Sequence, residues 1–174
     1  MRSSDVARRG PGGRSLARQT VVITALALAG VSHADGASNV DLYIQSDGDF
    51  LAFAPDQLSV PAGAHVTLTF HHAGKRIEQM HDWILLQPGT ADAFMDDVLA
   101  AGEKNGWMPP DDSRVIAATP KINPGESTTI EFEAPAAGDY PFVCTFEGHG
   151  TVMRGVLHVS AATNGATTKG DTER

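Results

Sequence analysis

The chain has 174 residues, 41% of them hydrophobic and 20% charged, with 13 Lys and Arg against 21 Asp and Glu and a formal net charge of −8. That length and apolar content support one packed core and leave two full domains cramped. The acidic balance excludes the clustered cations on which phosphate recognition depends, so nucleic acid is not an expected partner.

The first segment differs from the rest. Arg2, Arg8, Arg9, Arg14 and Arg18 form a basic leader ahead of an apolar run from Val21 to Val31. The run is shorter than the roughly 20 apolar residues that a membrane-spanning helix needs. Ser32 and Ala34 put small residues where a signal peptidase cuts. Residues 1–34 therefore read as a signal peptide cleaved after Ala34, with a retained membrane anchor as the alternative. The Arg8-Arg9 pair lies far from the apolar run, which makes a poor twin-arginine signal. Cleavage would remove five arginines and Asp5, leaving eight basic against 20 acidic residues and a net charge of −12.

From Val40 onward short strands alternate with turn signals, the pattern of an all-β Greek-key sandwich. Val66, Leu68 and Phe70 alternate with His65, Thr67 and Thr69, so that strand buries one face, and Pro61 and Gly63 mark the turn before it. Trp83 to Leu86 is continuously apolar and predicts a strand covered on both faces. One inserted helix follows: Thr90 can cap it, Asp92 suits its positive end, Phe94, Val98 and Ala101 share a face, and Gly102 can stop it. Residues 102–114 read as loop. Further strands are expected at Val115–Thr119, Thr128–Glu133, Asp139–Cys144 and Arg154–Val159, with turns at Pro124-Gly125 and Ala137-Gly138. The domain is expected to span residues 35–160. Residues 161–174 are polar and aperiodic and predict a disordered tail.

The chain has one cysteine, Cys144. An exported protein usually pairs its thiols or omits them, so a lone one is a metal ligand, an inert buried thiol or half of an intermolecular bridge. Its surroundings favour the first reading. The segment Cys144-Thr-Phe-Glu-Gly-His149-Gly-Thr-Val-Met153 holds a thiol, an imidazole and a thioether within ten residues. Copper that changes oxidation state needs that mixture, because soft thiolate suits the reduced ion and imidazole is tolerated by both. A second imidazole must come from elsewhere, and His81, just before the apolar strand, is the natural candidate.

With these residues the chain resembles the azurin branch of the cupredoxin family. The resemblance runs from about Val40 to Val159 and is strongest in His81-Asp-Trp83, in Pro110-Asp-Asp-Ser-Arg-Val-Ile-Ala117, and from Phe142 through Cys144 and His149 to Met153 and Gly155. It implies an eight-stranded Greek-key sandwich with an inserted helical flap and one type 1 copper per chain. The family's ligands fall on His81, Cys144, His149 and Met153, and its distant backbone-carbonyl contact falls on Met80. It further implies single-electron transfer rather than catalysis, in the periplasm, with redox proteins such as a c-type cytochrome or a terminal reductase as partners. A solvent-facing edge of His149, among Phe146, Gly148 and Gly150, would be the route for the electron.

Four departures stand out. Met80 replaces the azurin glycine, and Glu147 replaces a proline beside the exposed histidine. The disulfide near the start of azurins is absent. Asp82 stands at the family's asparagine, which ties the two ligand loops together near the sulfur. An ionised carboxylate there would stabilise oxidised copper and lower the potential, so Asp82→Asn is expected to raise it, whereas burial would favour a protonated side chain. Among the other histidines, His65 and His158 are expected on outward strand faces, and His72 resembles a buried azurin histidine close to the metal. Phe146 is expected to shield the site from water. Besides a metal-free sandwich serving as an interaction module, for which the ligand-type residues would be coincidental, two rival functions follow from the same residues. A copper enzyme would need further domains and a second histidine cluster, which the sequence lacks; a periplasmic copper carrier or chaperone would need only the Cys/His/Met loop.

Overall fold

The computed structural model describes residues 38–76 and 79–162. The expected signal peptide and the polar tail beyond residue 162 lie outside the described residues. The elements run β1 (Asn39–Ser46), β2 (Phe53–Ala54), β3 (Gln57–Pro61), β4 (His65–His71), β5 (Ile84–Leu86), α1 (Ala91–Ala101), β6 (Val115–Ala118), β7 (Ser127–Glu133), β8 (Gly138–Val143) and β9 (Arg154–Ser160). They form two sheets, ordered β2-β1-β4-β7 and β3-β9-β8-β5-β6. The count of nine exceeds the eight expected, the difference lying in short pieces such as the two-residue β2. β1 pairs in parallel with β4 and β3 in parallel with β9, while the remaining pairs are antiparallel. Parallel neighbours so distant in sequence mean that the chain crosses repeatedly between the sheets. Among the described residues no helix is long and apolar enough to cross a membrane.

Period-two alternation turns these sequences into a sandwich. In β4, Val66, Leu68 and Phe70 are fully buried while the residues between them face outward. Phe53 meets Phe70 and Phe142 edge-on at centroid distances of 5.9 and 5.2 Å. Such pairs contribute roughly 0.5–1.5 kcal/mol beyond the area they bury. Phe142 has room because its partner across the β8–β9 ladder is Gly155, where a Cβ would overlap the Phe142 ring and the Asp56 carbonyl oxygen.

The continuous apolar run before the helix has a simple cause. Trp83 and Leu85 point into the core between the sheets, whereas Ile84 and Leu86 point outward and are covered by Phe94, Met95 and Val98 of α1. The helix is thus a lid on the outer face of β5 and β8. Gly102 ends it with φ 60°, its amide donating to Val98 O. The expected cap at Thr90 is not formed: the residue lies in the α region and its hydroxyl donates to Gln87 O at 2.7 Å. The α-region backbone of Thr90 and the hydrogen bond to Gln87 O aim the hydroxyl back into the turn Gln87–Thr90, away from the first-turn amides whose hydrogens it would have to accept.

Candidate metal centre

The chain between β8 and β9 folds back on itself. Cys144 N–H donates to Met153 O at 3.1 Å, and Met153 N–H and Val152 N–H both donate to His149 O, at 2.7 and 3.0 Å. Glu147 and Gly148 take positive φ, 46° and 77°, to make the bend. Gly148 accepts that conformation readily; Glu147 does so at a cost. Gly150 is required for a different reason. A Cβ there would come within 2.5 Å of Cys144 O and 2.6 Å of Met95 Sδ, so the lid helix seats directly on the loop.

His81 arrives from the other side. Its backbone pairs with Ile122, His81 N–H to Ile122 O at 3.2 Å and Ile122 N–H to His81 O at 2.9 Å. Two residues on, Trp83 N–H donates to Thr119 Oγ1 at 2.9 Å. A strand-like segment, residues 119–122, therefore clamps the backbone that carries His81.

Three donor atoms converge between these supports. His81 Nδ1 lies 3.5 Å from Cys144 Sγ, His149 Nδ1 lies 3.9 Å from it, and the two nitrogens are 3.3 Å apart. A point equidistant from all three sits about 2.1 Å from each. First-row ions such as zinc bond imidazole nitrogen at about 2.0–2.1 Å and thiolate sulfur at about 2.3 Å, so the gap has the size of such an ion. Among the described residues this is the one cluster of three His, Cys, Asp or Glu groups with metal-ligand spacing. Two neutral imidazoles and a thiol suit copper in both its oxidation states.

The electrostatics keep these donors ready. Burial, reinforced by the positive charges that His72 and His149 would carry, pushes His81 down to about 3. Burial also lowers His149, with Glu147 and Asp82 opposing it. Both rings therefore stay neutral with free lone pairs. The Cys144 thiol is pushed well up, first by burial and then by the charge of Asp82, while the backbone amides of Asp82 and Phe146 pull the other way. Those two amides are hydrogen-bond donors to the sulfur, one from each ligand segment. A metal must displace the thiol proton on binding.

Met153 is fully buried, and its backbone is bonded to both Cys144 and His149, which fixes it beside the cluster. Met80 is half-buried and adjoins His81. His72 is buried with its ring centroid 4.3 Å from that of His81. Gly74 N–H donates to His72 Nδ1 at 3.1 Å, so Nε2 carries the proton and donates to Gln79 O at 2.8 Å. His65 and His158 lie on outward faces beside Glu133 and Asp139, as expected. Phe146 stands edge-on to His149 at 5.3 Å. His149 is 9% exposed while His81 and Cys144 are fully buried, so His149 is the site's contact with solvent. Around it Leu99, from α1, packs over Gly148, and Val152 and Glu147 are exposed.

Asp82 ties the two ligand segments together. Thr145 N–H donates to its Oδ1 and Thr145 Oγ1–H to its Oδ2, each at 2.6 Å, and Lys121 Nζ lies 2.9 Å from Oδ2. The sequence reading missed Lys121 altogether.

Comparison with known proteins agrees with this geometry. Residues 40–160 match the model of the copper binding proteins of the plastocyanin/azurin family. The chain belongs to that family. It is 39% identical over 127 residues to auracyanin-A of Chloroflexus aurantiacus, covering 72% of this chain and 77% of that one. It is 33% identical over 118 residues to azurin iso-2 of Methylomonas sp. strain J, covering 64% and 92%. The solved structure of auracyanin A, a blue copper protein of Chloroflexus aurantiacus, superposes with a TM-score of 0.63 at 38% identity, covering 71% of this chain and all of that one. Auracyanin of Roseiflexus castenholzii, in its dithionite-reduced form, gives 0.63 at 36% identity over 72% of this chain and 99% of that one. The protein is accordingly an azurin-like cupredoxin, and copper is its metal.

Proposed function

We propose that this cupredoxin is an exported one-electron carrier whose copper would be held by His81, Cys144 and His149, with the Met153 thioether and, more weakly, the Met80 carbonyl as further contacts. Copper bound there supplies a one-electron couple. The observation that carries the reading is the convergence of one thiol and two imidazole Nδ1 atoms on a gap of about 2.1 Å radius inside a rigid sandwich. His81 is fixed by its pairing to Ile122, and Cys144 and His149 by the bonds that close their loop. Donors held in this way cannot rearrange much when the charge at the site changes, which keeps the reorganisation small. Phe146 and the lid helix keep water away, and the imidazole of His149 leads to the apolar rim of Leu99 and Val152.

A redox protein such as a c-type cytochrome or a terminal reductase would dock over that rim. The basic leader and the small residues at Ser32 and Ala34 support export to the periplasm and release of residues 35–174. The alternative role of a copper carrier gains nothing from the geometry, since two of the three donors are fully buried and a delivery site needs access for exchange.

One preparation tests both parts. Protein purified from the periplasm of an expressing bacterium is loaded with Cu(II) and its absorption, paramagnetic resonance and intact mass are recorded. The expected result is an intense visible thiolate-to-copper band with narrow copper hyperfine splitting, lost in Cys144→Ser, and a mass that begins at Asp35. Stoichiometric copper without the visible band refutes the site, and retention of the leader in that fraction refutes the processing.

A further inference from the structure

The pair formed by Asp82 and Lys121 sits at the junction of all the parts that hold the centre. Asp82 follows His81 directly, Thr145 follows Cys144 directly, and Lys121 precedes Ile122, whose backbone pairs with His81. The Asp82 side chain is 2% exposed and that of Lys121 18%. Three donors converge on the carboxylate: the Thr145 amide, the Thr145 hydroxyl and the Lys121 ammonium. The amide and the ammonium have no acceptor capacity, so the arrangement matches an ionised Asp82. Its charge would otherwise stand in a buried position next to both ligand segments. A buried carboxylate without a counter-charge is strongly unfavourable.

We infer that Lys121 is a tuning residue of the copper centre: its ammonium neutralises the buried Asp82 carboxylate, so that the clamp between the two ligand segments adds no net charge beside the metal. The geometry of residues 119–122 supports this. Thr119 and Ile122 lock onto Trp83 and His81, which leaves Lys121 held across from Asp82 between two fixed points. Backbone pairing thus fixes where the side chain starts, and the roughly 1.5–2 kcal/mol of rotamer freedom lost in holding the ammonium there is set against the buried carboxylate that it neutralises. Charge balance gives opposite consequences for the two partners. Without Lys121 a net negative charge remains, which favours Cu(II) and lowers the potential. Without Asp82 a net positive charge remains, which favours Cu(I) and raises it.

This inference rests on copper occupying the His81, Cys144 and His149 cluster, and the experiment separates the two. Wild type, Lys121→Met, Lys121→Arg, Asp82→Asn and the double variant Asp82→Asn/Lys121→Met are loaded with copper. Each visible spectrum is recorded, and each potential is measured by voltammetry at about pH 8. The copper-free proteins are unfolded in urea in parallel. Lys121→Met is expected to lower the potential and Asp82→Asn to raise it. Each shift should be about tenfold in the reduction equilibrium, ~59 mV for one electron. Lys121→Arg should keep the potential near that of wild type, and the double variant should fall between the two single ones. If Lys121→Met does not fold, the upward shift in Asp82→Asn and its reversal in the double variant carry the test. A blue wild type whose potential is unmoved by these changes, with only stability affected, overturns the inference and leaves the copper site standing. A wild type that is not blue overturns the site itself.

Discussion

Acidification of the copper-free protein offers a quantitative test of how the histidines are buried. His81 is fully buried, and its surroundings push it from an ordinary value of 6.5 down to about 3. Between those two values the unfolded chain binds a proton at His81 that the folded protein refuses. Stability is therefore full above about pH 6.5 and falls as the pH drops toward about 3, because the unfolded state binds more protons. Each unit is worth ~1.36 kcal/mol, so His81 alone should cost about 2 kcal/mol at about pH 5. That is a large share of the ~5–15 kcal/mol available to a typical domain. His149 is shifted in the same direction and adds to the loss. Asp49 and Asp112 are lowered below 3.8, so their contribution is lost only at about that pH and below, which leaves the interval between about pH 7.5 and about pH 5 clear. Urea unfolding at about pH 7.5 and about pH 5, followed by tryptophan fluorescence from buried Trp83, measures the difference. Substituting His81→Gln should remove the His81 part of the loss. Equal stability at the two pH values in the wild-type apoprotein, or an unchanged loss in His81→Gln, would refute the reasoning.

Other consequences of the geometry can be checked independently. Gly155→Ala forces a methyl into the Phe142 ring and the Asp56 carbonyl oxygen, neither of which can withdraw freely, so it should destabilise the domain by about 1–3 kcal/mol or more. Urea unfolding that left the midpoint unchanged would mean that β9 is free to shift against β8. Because burial holds the Cys144 thiol well above its ordinary range while both ligand histidines are neutral, Cu(II) uptake at about pH 7.5 should release about one proton per ion. A pH-stat titration reads this directly, and Cys144→Ser should abolish the release. A metal uptake that released no proton would show a thiolate already present in the empty site.

The sequence revealed most where a residue's role is carried by local pattern. Val66, Leu68 and Phe70 declared their strand by alternation, and Cys144, His149 and Met153 stood out as candidates by chemical type within one short segment. The run from Trp83 to Leu86 also gave its environment away, because only a strand covered on both sides is apolar at every position; what it could not say is that the outer cover is α1. Thr90 illustrates the opposite case. Its identity fits a helix cap, yet the hydroxyl is claimed by a carbonyl three residues earlier, a competition that residue preferences do not resolve.

Lys121 marks the limit more sharply. A buried Asp82 beside a metal ligand demands a cation, and the sequence leaves eight basic residues after the leader from which to choose. Spacing along the chain does not select among them, since Lys121 and Asp82 are far apart in sequence and belong to different segments. The choice is made by backbone pairing of residues 119–122 with residues 81–83, which is a property of the assembled sheet. The same pairing places the Ile122 backbone against His81 and the Thr119 hydroxyl against Trp83. One short stretch without chemistry of its own therefore fixes a ligand, supports a core aromatic and supplies the counter-charge. Residues that bind the metal can be recognised by type, whereas those that set its electrostatic surroundings are defined only by where the fold puts them.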